Sequence, residues 1–171
     1  WFMRWPLGEP ERSTLTELGD PDLVKEGHKH YFVSRTSHYA EVVGYERPLP
    51  LEIQSSDTGT LHKVPFYIAD DIAGNVDRVR QAELRIRVRN LVNDDRPKIM
   101  LNGKRLPLEN SARSWGGIFD PGAAQLLRFD LNGVPPEKGN NVLEVVLESR
   151  PAGLTGPITV QDVEIEVRLG D

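Results

Sequence analysis

Two stretches decide the fold. Gln81-Ala82-Glu83-Leu84-Arg85-Ile86-Arg87-Val88-Arg89-Asn90-Leu91 comes first, and after Val92–Pro97 comes Lys98-Ile99-Met100-Leu101-Asn102-Gly103-Lys104-Arg105-Leu106. Leu84, Ile86 and Val88 alternate with Arg85, Arg87 and Arg89. A period of two sets the apolar side chains on one face and the arginines on the other, so a strand with one buried and one wet face is predicted. Ile99 and Leu101 begin a second strand. Asn102-Gly103, a pair that tolerates the positive φ angles of a two-residue turn, sends it back into a third.

The same period recurs on both sides. Upstream, Tyr31-Phe32-Val33 is a short aromatic strand. Leu49, Leu51 and Ile53 alternate beside prolines that mark an edge or the start of a strand. Ser55–Thr60 is a turn by composition, and Val64, Phe66 and Ile68 alternate again. Asp70–Arg78 reads as a loop with a helical turn. Downstream, the alternating sets are Leu127/Phe129/Leu131, then Leu143/Val145/Leu147, then Val163/Ile165/Val167/Leu169. Turn-rich segments at 132–141 and 151–157 separate them. Eight or nine short strands with regular turns and no long amphipathic helix predict an antiparallel β-sandwich.

Residues 1–28 lack this alternation. Trp1, Phe2, Trp5 and Leu7 make an aromatic start, and Pro10–Gly19 has the Pro-first, Gly-last form of a short helix. The segment reads as the tail of a preceding domain plus a linker, with the sandwich over 29–171. The chain opens Trp1-Phe2-Met3, which reads as a piece cut from a longer protein whose targeting signal lies upstream.

Composition bounds the function. Of the 171 residues 38% are hydrophobic and 27% charged, which suits a folded domain. A net charge of −5 argues against a general affinity for nucleic acid or anionic membrane. No cysteine is present, so there is neither a disulfide framework nor a thiolate metal site. No apolar run approaches the roughly 20 residues of a membrane span. Gly-x-Ser-x-Gly elbows and phosphate loops are absent too.

Candidate sites lie in the predicted loops. Trp115 falls within Asn110-Ser111-Ala112-Arg113-Ser114-Trp115-Gly116-Gly117, a stretch without core periodicity. Its ring offers a platform for the apolar face of a sugar, with Arg113 and Asn110 to bond hydroxyls; the alternative is that it folds back onto the core. His38, Tyr39 and Tyr45, with Arg47, form a second polar-aromatic group, suited to a ligand or to a neighbouring domain. His28 and His30 share a face if that segment is a strand, but a solvated linker explains them better than a metal site. Asp70-Asp71 and Asp94-Asp95, and Asp162 in the last strand, are candidate calcium ligands; turn capping is the competing explanation for the loop pairs. Arg85, Arg87 and Arg89 form a possible basic stripe. The Glu144/Glu148 and Glu164/Glu166 ladders point instead to cross-strand ion pairs.

Ala82–Val88 followed by Ile99-Met100-Leu101-Asn102-Gly103-Lys104-Arg105-Leu106, then Pro136-Glu137-Lys138-Gly139-Asn140-Asn141-Val142-Leu143-Glu144-Val145 and Ile158–Ile165, resembles the galactose-binding-like jelly rolls attached to glycoside hydrolases. The likeness runs from about Val64 to Leu169. It implies a jelly-roll sandwich at the C-terminus of a multidomain enzyme, outside the cell or in the periplasm. Such a domain would be non-catalytic and bind a polysaccharide or oligosaccharide, with an upstream catalytic domain in the same chain. A structural calcium ion and no other cofactor would be in keeping. Two alternatives stand beside it: a structural domain that packs on a catalytic barrel without binding sugar, and a small jelly-roll lyase or hydrolase.

Overall fold

A computed structural model describes residues 4–7, 28–33, 48–68, 70–107, 113–115 and 124–170. Among these, eleven strands form two sheets. They are β1 (Arg4–Leu7), β2 (His28–Val33), β3 (Leu51–Ile53), β4 (Leu61–Ile68), β5 (Val79–Arg89), β6 (Arg96–Leu101), β7 (Lys104–Leu106), β8 (Arg113–Trp115), β9 (Ala124–Asp130), β10 (Gly139–Ser149) and β11 (Ile158–Leu169). Short 3-10 turns lie at Ser55–Asp57 and Ala73–Arg78.

The chain is wound outward from Asn102-Gly103. Both residues take positive φ, 51° and 77°, which closes a two-residue turn between Leu101 and Lys104. Around this tip, β6 pairs with β7, β5 with β9, β4 with β10 and β3 with β11, all antiparallel. One long hairpin is thus rolled up, and its nested pairs fall alternately into the two sheets. One sheet runs β3-β11-β5-β9, extended by further strands, and the other β4-β10-β6-β7. This is the jelly-roll winding, and the molecule is an all-β sandwich.

Alternation builds the core. Leu84, Ile86 and Val88 of β5 face Phe129 and Leu127 of β9 and Ile165, Val163 and Val160 of β11, all buried. Opposite them lie Val64, Phe66 and Ile68 of β4, Leu143, Val145 and Leu147 of β10, and Ile99 and Leu101 of β6. In β11 the buried positions step by three between Val160 and Val163. A bulge between Val160 and Asp162 takes up the extra residue, so one face stays inward along the whole strand.

Three elements depart from the sequence expectation. His28 and His30 are not in a linker: they begin β2, which pairs with the edge of β11 at Arg168 and Glu166. Residues 4–7, inside the segment assigned to a linker, form β1 and pair parallel with β2. Arg113–Trp115 is not loop but a short strand beside β9. In each case backbone pairing at an open sheet edge overrides the lack of local alternation. The expected helix at 10–19 lies outside the described residues.

Candidate functional site

The outer face of the larger sheet is charged and internally paired. Arg85 reaches Glu83 at 2.5 Å on its own strand and Glu166 on β11. Arg168 also bonds Glu166, at 3.2 Å, and Arg87 meets Asp162 at 3.5 Å. Glu166 is only 8% exposed although it sits on the outer side of the sheet. Burial works against the Arg85 charge, but the Glu83 hydrogen bond and the charges of Glu166, Glu83 and Glu164 outweigh it and raise its pKa. The expected pairing of the arginine row with Glu164 and Glu166 holds for β11. The Glu144/Glu148 ladder belongs to the other sheet, where Glu144 accepts from the Gly103 N–H at 3.1 Å and Glu148 meets Arg105 at 3.9 Å.

The motif residues that carried the family resemblance are bound to one another. Asn102 Nδ2 donates to Asn141 Oδ1 at 2.9 Å, and the Val142 N–H donates to Asn102 Oδ1 at 2.8 Å. Asn141 Oδ1 also accepts from the Glu137 N–H at 2.8 Å, while its Nδ2 donates to the carbonyls of Glu137 and Gly139 at 2.8 and 3.0 Å. Asn141 is buried with every side-chain donor and acceptor satisfied. These two asparagines clasp the tip hairpin to the start of β10.

Beside the clasp, at the same end of the sandwich, lies an open groove of about 470 Å³ lined by Gln81, Ala82, Glu83, Arg128, Phe129, Asp130 and Asn132. Register creates it. Glu83 of β5 stands opposite Asp130 of β9, and Arg85 opposite Arg128. Arg85 is turned to its acids on the other side, so Arg128 has no ionic partner among the described residues. Glu83 spends Oε1 on Arg85, and Asp130 spends Oδ1 on the Asn132 N–H at 2.9 Å. Among the described residues, one oxygen of each carboxylate and the Arg128 guanidinium have no partner. Asn132 Oδ1 accepts from the Ala82 N–H at 3.0 Å, and the Leu131 N–H donates to the Ala82 carbonyl at 2.8 Å, which fixes the wall made by the loop after β9. A smaller pit of about 90 Å³ opens next to it, lined by Val76, Val79, Ala82, Leu131, Asn132 and Pro135.

The residues expected from sequence are distributed as follows. Asn110, His38, Tyr39 and Tyr45 lie outside the described residues, as does Arg47. Arg113 pairs with Leu127, one residue from the groove's Arg128, and Trp115 pairs with Gln125, a buried residue whose own partner on β5 is Val88. Trp115 is therefore three residues, about 10 Å, along the strand from Arg128. In strand order β8 and β2 sit at opposite sides of the sheet with β9, β5 and β11 between them, about 19 Å at the usual spacing. Asp70 Oδ2 accepts from the Tyr31 hydroxyl at 2.5 Å. Asp71 caps Gly74 N–H at 2.8 Å, as the turn explanation expects, and Asp162 is the partner of Arg87. Among the described residues no group of three or more His, Asp or Glu side chains gathers at metal-binding separation. Sequence inspection missed Gln81, Glu83, Arg128, Asp130 and Asn132 as a group, because only the register of β5 on β9 brings them together.

No protein-family model and no curated protein matches the chain. Among solved structures, it is similar to a variant of a family 86 glycoside hydrolase in complex with neoagarooctaose, at 13% identity and a TM-score of 0.49, covering 82% of this chain and 19% of that one. The wild-type form of that enzyme, also with neoagarooctaose, is matched at 11% identity and a TM-score of 0.46, with the same coverage. The chain thus spans about a fifth of the enzyme's length.

Proposed function

We propose that this chain is a non-catalytic carbohydrate-binding module, part of a larger exported protein that degrades polysaccharide, and that it holds its glycan in the β5–β9 groove. The supporting observation is the groove's inventory. Arg128 supplies a planar set of donors, and Glu83, Asp130 and Gln81 supply acceptors, on a surface open enough for a sugar ring. Vicinal hydroxyls, each both donor and acceptor, match such a mixed set. A rigid strand pair presents these groups, so little ordering is needed on binding. Trp115, on the strand flanking β9, would add a stacking platform beyond the groove.

The test is affinity electrophoresis of the chain through gels containing neutral polysaccharides. Retention on at least one of them, lost in Arg128→Ala and in Glu83→Gln with unchanged thermal unfolding, is the expected result. Retention that survives both substitutions, or none on any polysaccharide, refutes it. Trp115→Ala is expected to weaken retention without moving the unfolding midpoint; a large shift in unfolding with intact retention would make Trp115 a packing residue. Release of reducing ends from the same panel would show an enzyme instead.

A second function, a structural domain seated on a neighbouring catalytic unit, is favoured by the outer-face ladder. Glu166 is nearly inaccessible there, and the charges are satisfied in advance of any partner. It predicts stable association with the separately produced upstream domain and no retention by any glycan.

A further inference from the structure

We infer that Asn132-Gly133 is a modification site, where the asparagine deamidates spontaneously and sets a new carboxylate in the wall of the β5–β9 groove. The sequence holds two Asn-Gly pairs, Asn102-Gly103 and Asn132-Gly133. In such a pair the glycine nitrogen attacks the asparagine Cγ once the two atoms meet. The new N–Cγ bond closes a cyclic imide, the glycine amide proton passes to water, and the side-chain nitrogen leaves as ammonia. Water then opens the imide at either carbonyl, giving aspartate or isoaspartate. Glycine has no Cβ to shield its nitrogen. At both glycines the place of a Cβ has nothing within 4 Å, so crowding protects neither pair.

Hydrogen bonding separates them. Asn102 Nδ2 donates to Asn141 Oδ1, and Asn102 Oδ1 accepts from the Val142 N–H. The Gly103 N–H donates to Glu144 Oε2. All three bonds have to open before the Gly103 nitrogen can reach the Asn102 Cγ. Asn132 is exposed, and its amide is held by one bond, from the Ala82 N–H to Oδ1 at 3.0 Å. Among the described residues, Asn132 Nδ2 and the Gly133 N–H have no partner. Each bond that must open first slows the attack about fivefold, so Asn102 should react at least about tenfold more slowly than Asn132. The conversion falls on the groove itself, which Asn132 lines together with Glu83, Arg128 and Asp130. Either product adds a negative charge beside them. In isoaspartate the main chain runs through Cβ and Cγ, so the oxygen that accepted from the Ala82 N–H is drawn into the backbone. The modification does not depend on what ligand the groove takes.

The experiment incubates the whole chain in mildly alkaline buffer, folded and in concentrated urea, and follows its tryptic peptides over time by mass spectrometry. Cleavage after Arg128 and Lys138 puts Asn132 in the peptide 129–138, and cleavage after Lys98 and Lys104 puts Asn102 in the peptide 99–104. In the folded chain, 129–138 is expected to convert to its aspartate and isoaspartate forms at least about tenfold faster than 99–104. In urea the two should convert at similar rates, because the bonds that guard Asn102 are gone. Asn132→Gln should abolish the acidic species that isoelectric focusing resolves in the aged folded chain. Similar rates in the folded chain, faster conversion at Asn102, or an Asn132 that stays intact when folded overturns the inference. A gap between the peptides that persists in urea assigns the difference to flanking sequence rather than to the fold and overturns it as well.

Discussion

Replacing Asn141 by alanine tests the clasp that closes the jelly roll. Its side chain makes four hydrogen bonds: it accepts from Asn102 Nδ2 and the Glu137 N–H, and donates to the carbonyls of Glu137 and Gly139. A net contribution of about 1 kcal/mol each gives about 4 kcal/mol. Glu137 is exposed, so its stranded groups regain water, and the expected loss falls to about 3 kcal/mol. Against a typical total of about 5–15 kcal/mol this is a large fraction. In urea titrations with a slope of about 2 kcal/mol per M, the midpoint should fall by about 1.5 M with the slope unchanged. Asn102→Ala should cost less, and the double variant less than the sum, because the two residues share one bond. A loss below about 1 kcal/mol for Asn141→Ala would refute the view that these asparagines, rather than apolar packing alone, secure the tip hairpin to β10. Glu137 also terminates the loop whose Asn132 and Pro135 wall the groove and pit, so the substitution should weaken glycan retention at temperatures where the chain is still folded.

Three further outcomes are expected. Arg150 and Asp95 form a 2.9 Å ion pair with side chains 6% and 0% exposed, and Arg150→Met should cost about 3–5 kcal/mol in chemical unfolding by leaving Asp95 buried without that cation; a change under 1 kcal/mol would mean that Asp95 is compensated by its other contacts. His62 Nε2 is buried without a hydrogen-bond partner among the described residues, so His62→Leu should be neutral or stabilising by about 1 kcal/mol, and a clear loss in the unfolding midpoint would contradict that. The pKa of Arg85 is raised above its ordinary value, so its contribution to stability is complete throughout the neutral range and is lost only as pH rises through the raised value. The stability difference between wild type and Arg85→Gln should accordingly stay constant from about pH 6 to 9; a slope within that window would refute this account of the ladder.

The fold was legible in the sequence wherever burial imposed a period of two. The Asn102-Gly103 turn, β5, β9, β10 and β11 all announce themselves by alternation or turn chemistry. The elements that stayed hidden are those whose strand character comes from a neighbour. β1 contains Pro6, β8 is Arg-Ser-Trp, and β2 starts in a histidine-rich run; each exists because an edge of the larger sheet offers it hydrogen bonds. The bulge in β11 did have a signal, the three-residue step from Val160 to Val163, and it becomes interpretable once both residues are known to face one core. The groove had none. Glu83 and Asp130 are ordinary outward residues of two strands, and only the register of β5 on β9 sets them opposite each other.

This difference bears on where function should be sought. The Leu-Asn-Gly hairpin and the Lys-Gly-Asn-Asn segment make the sequence look like a sugar-binding jelly roll, yet Asn102 and Asn141 spend their hydrogen-bonding capacity on each other and on nearby backbone. Asn141, with every side-chain donor and acceptor satisfied inside the fold, has nothing left to offer a ligand. These two asparagines serve the winding itself, whatever the domain binds. The arginine ladder is consumed in the same way: Arg85 and Arg87 are held by Glu83, Glu166 and Asp162. Arg128 is different. It stands across from Arg85 and, among the described residues, has no acid of its own, at the margin of a groove whose carboxylates each keep an oxygen without a described partner. Folding gains nothing from placing two arginines opposite each other on neighbouring strands, since like charges there repel. A cation kept where the fold does not use it is the residue to test first for a ligand.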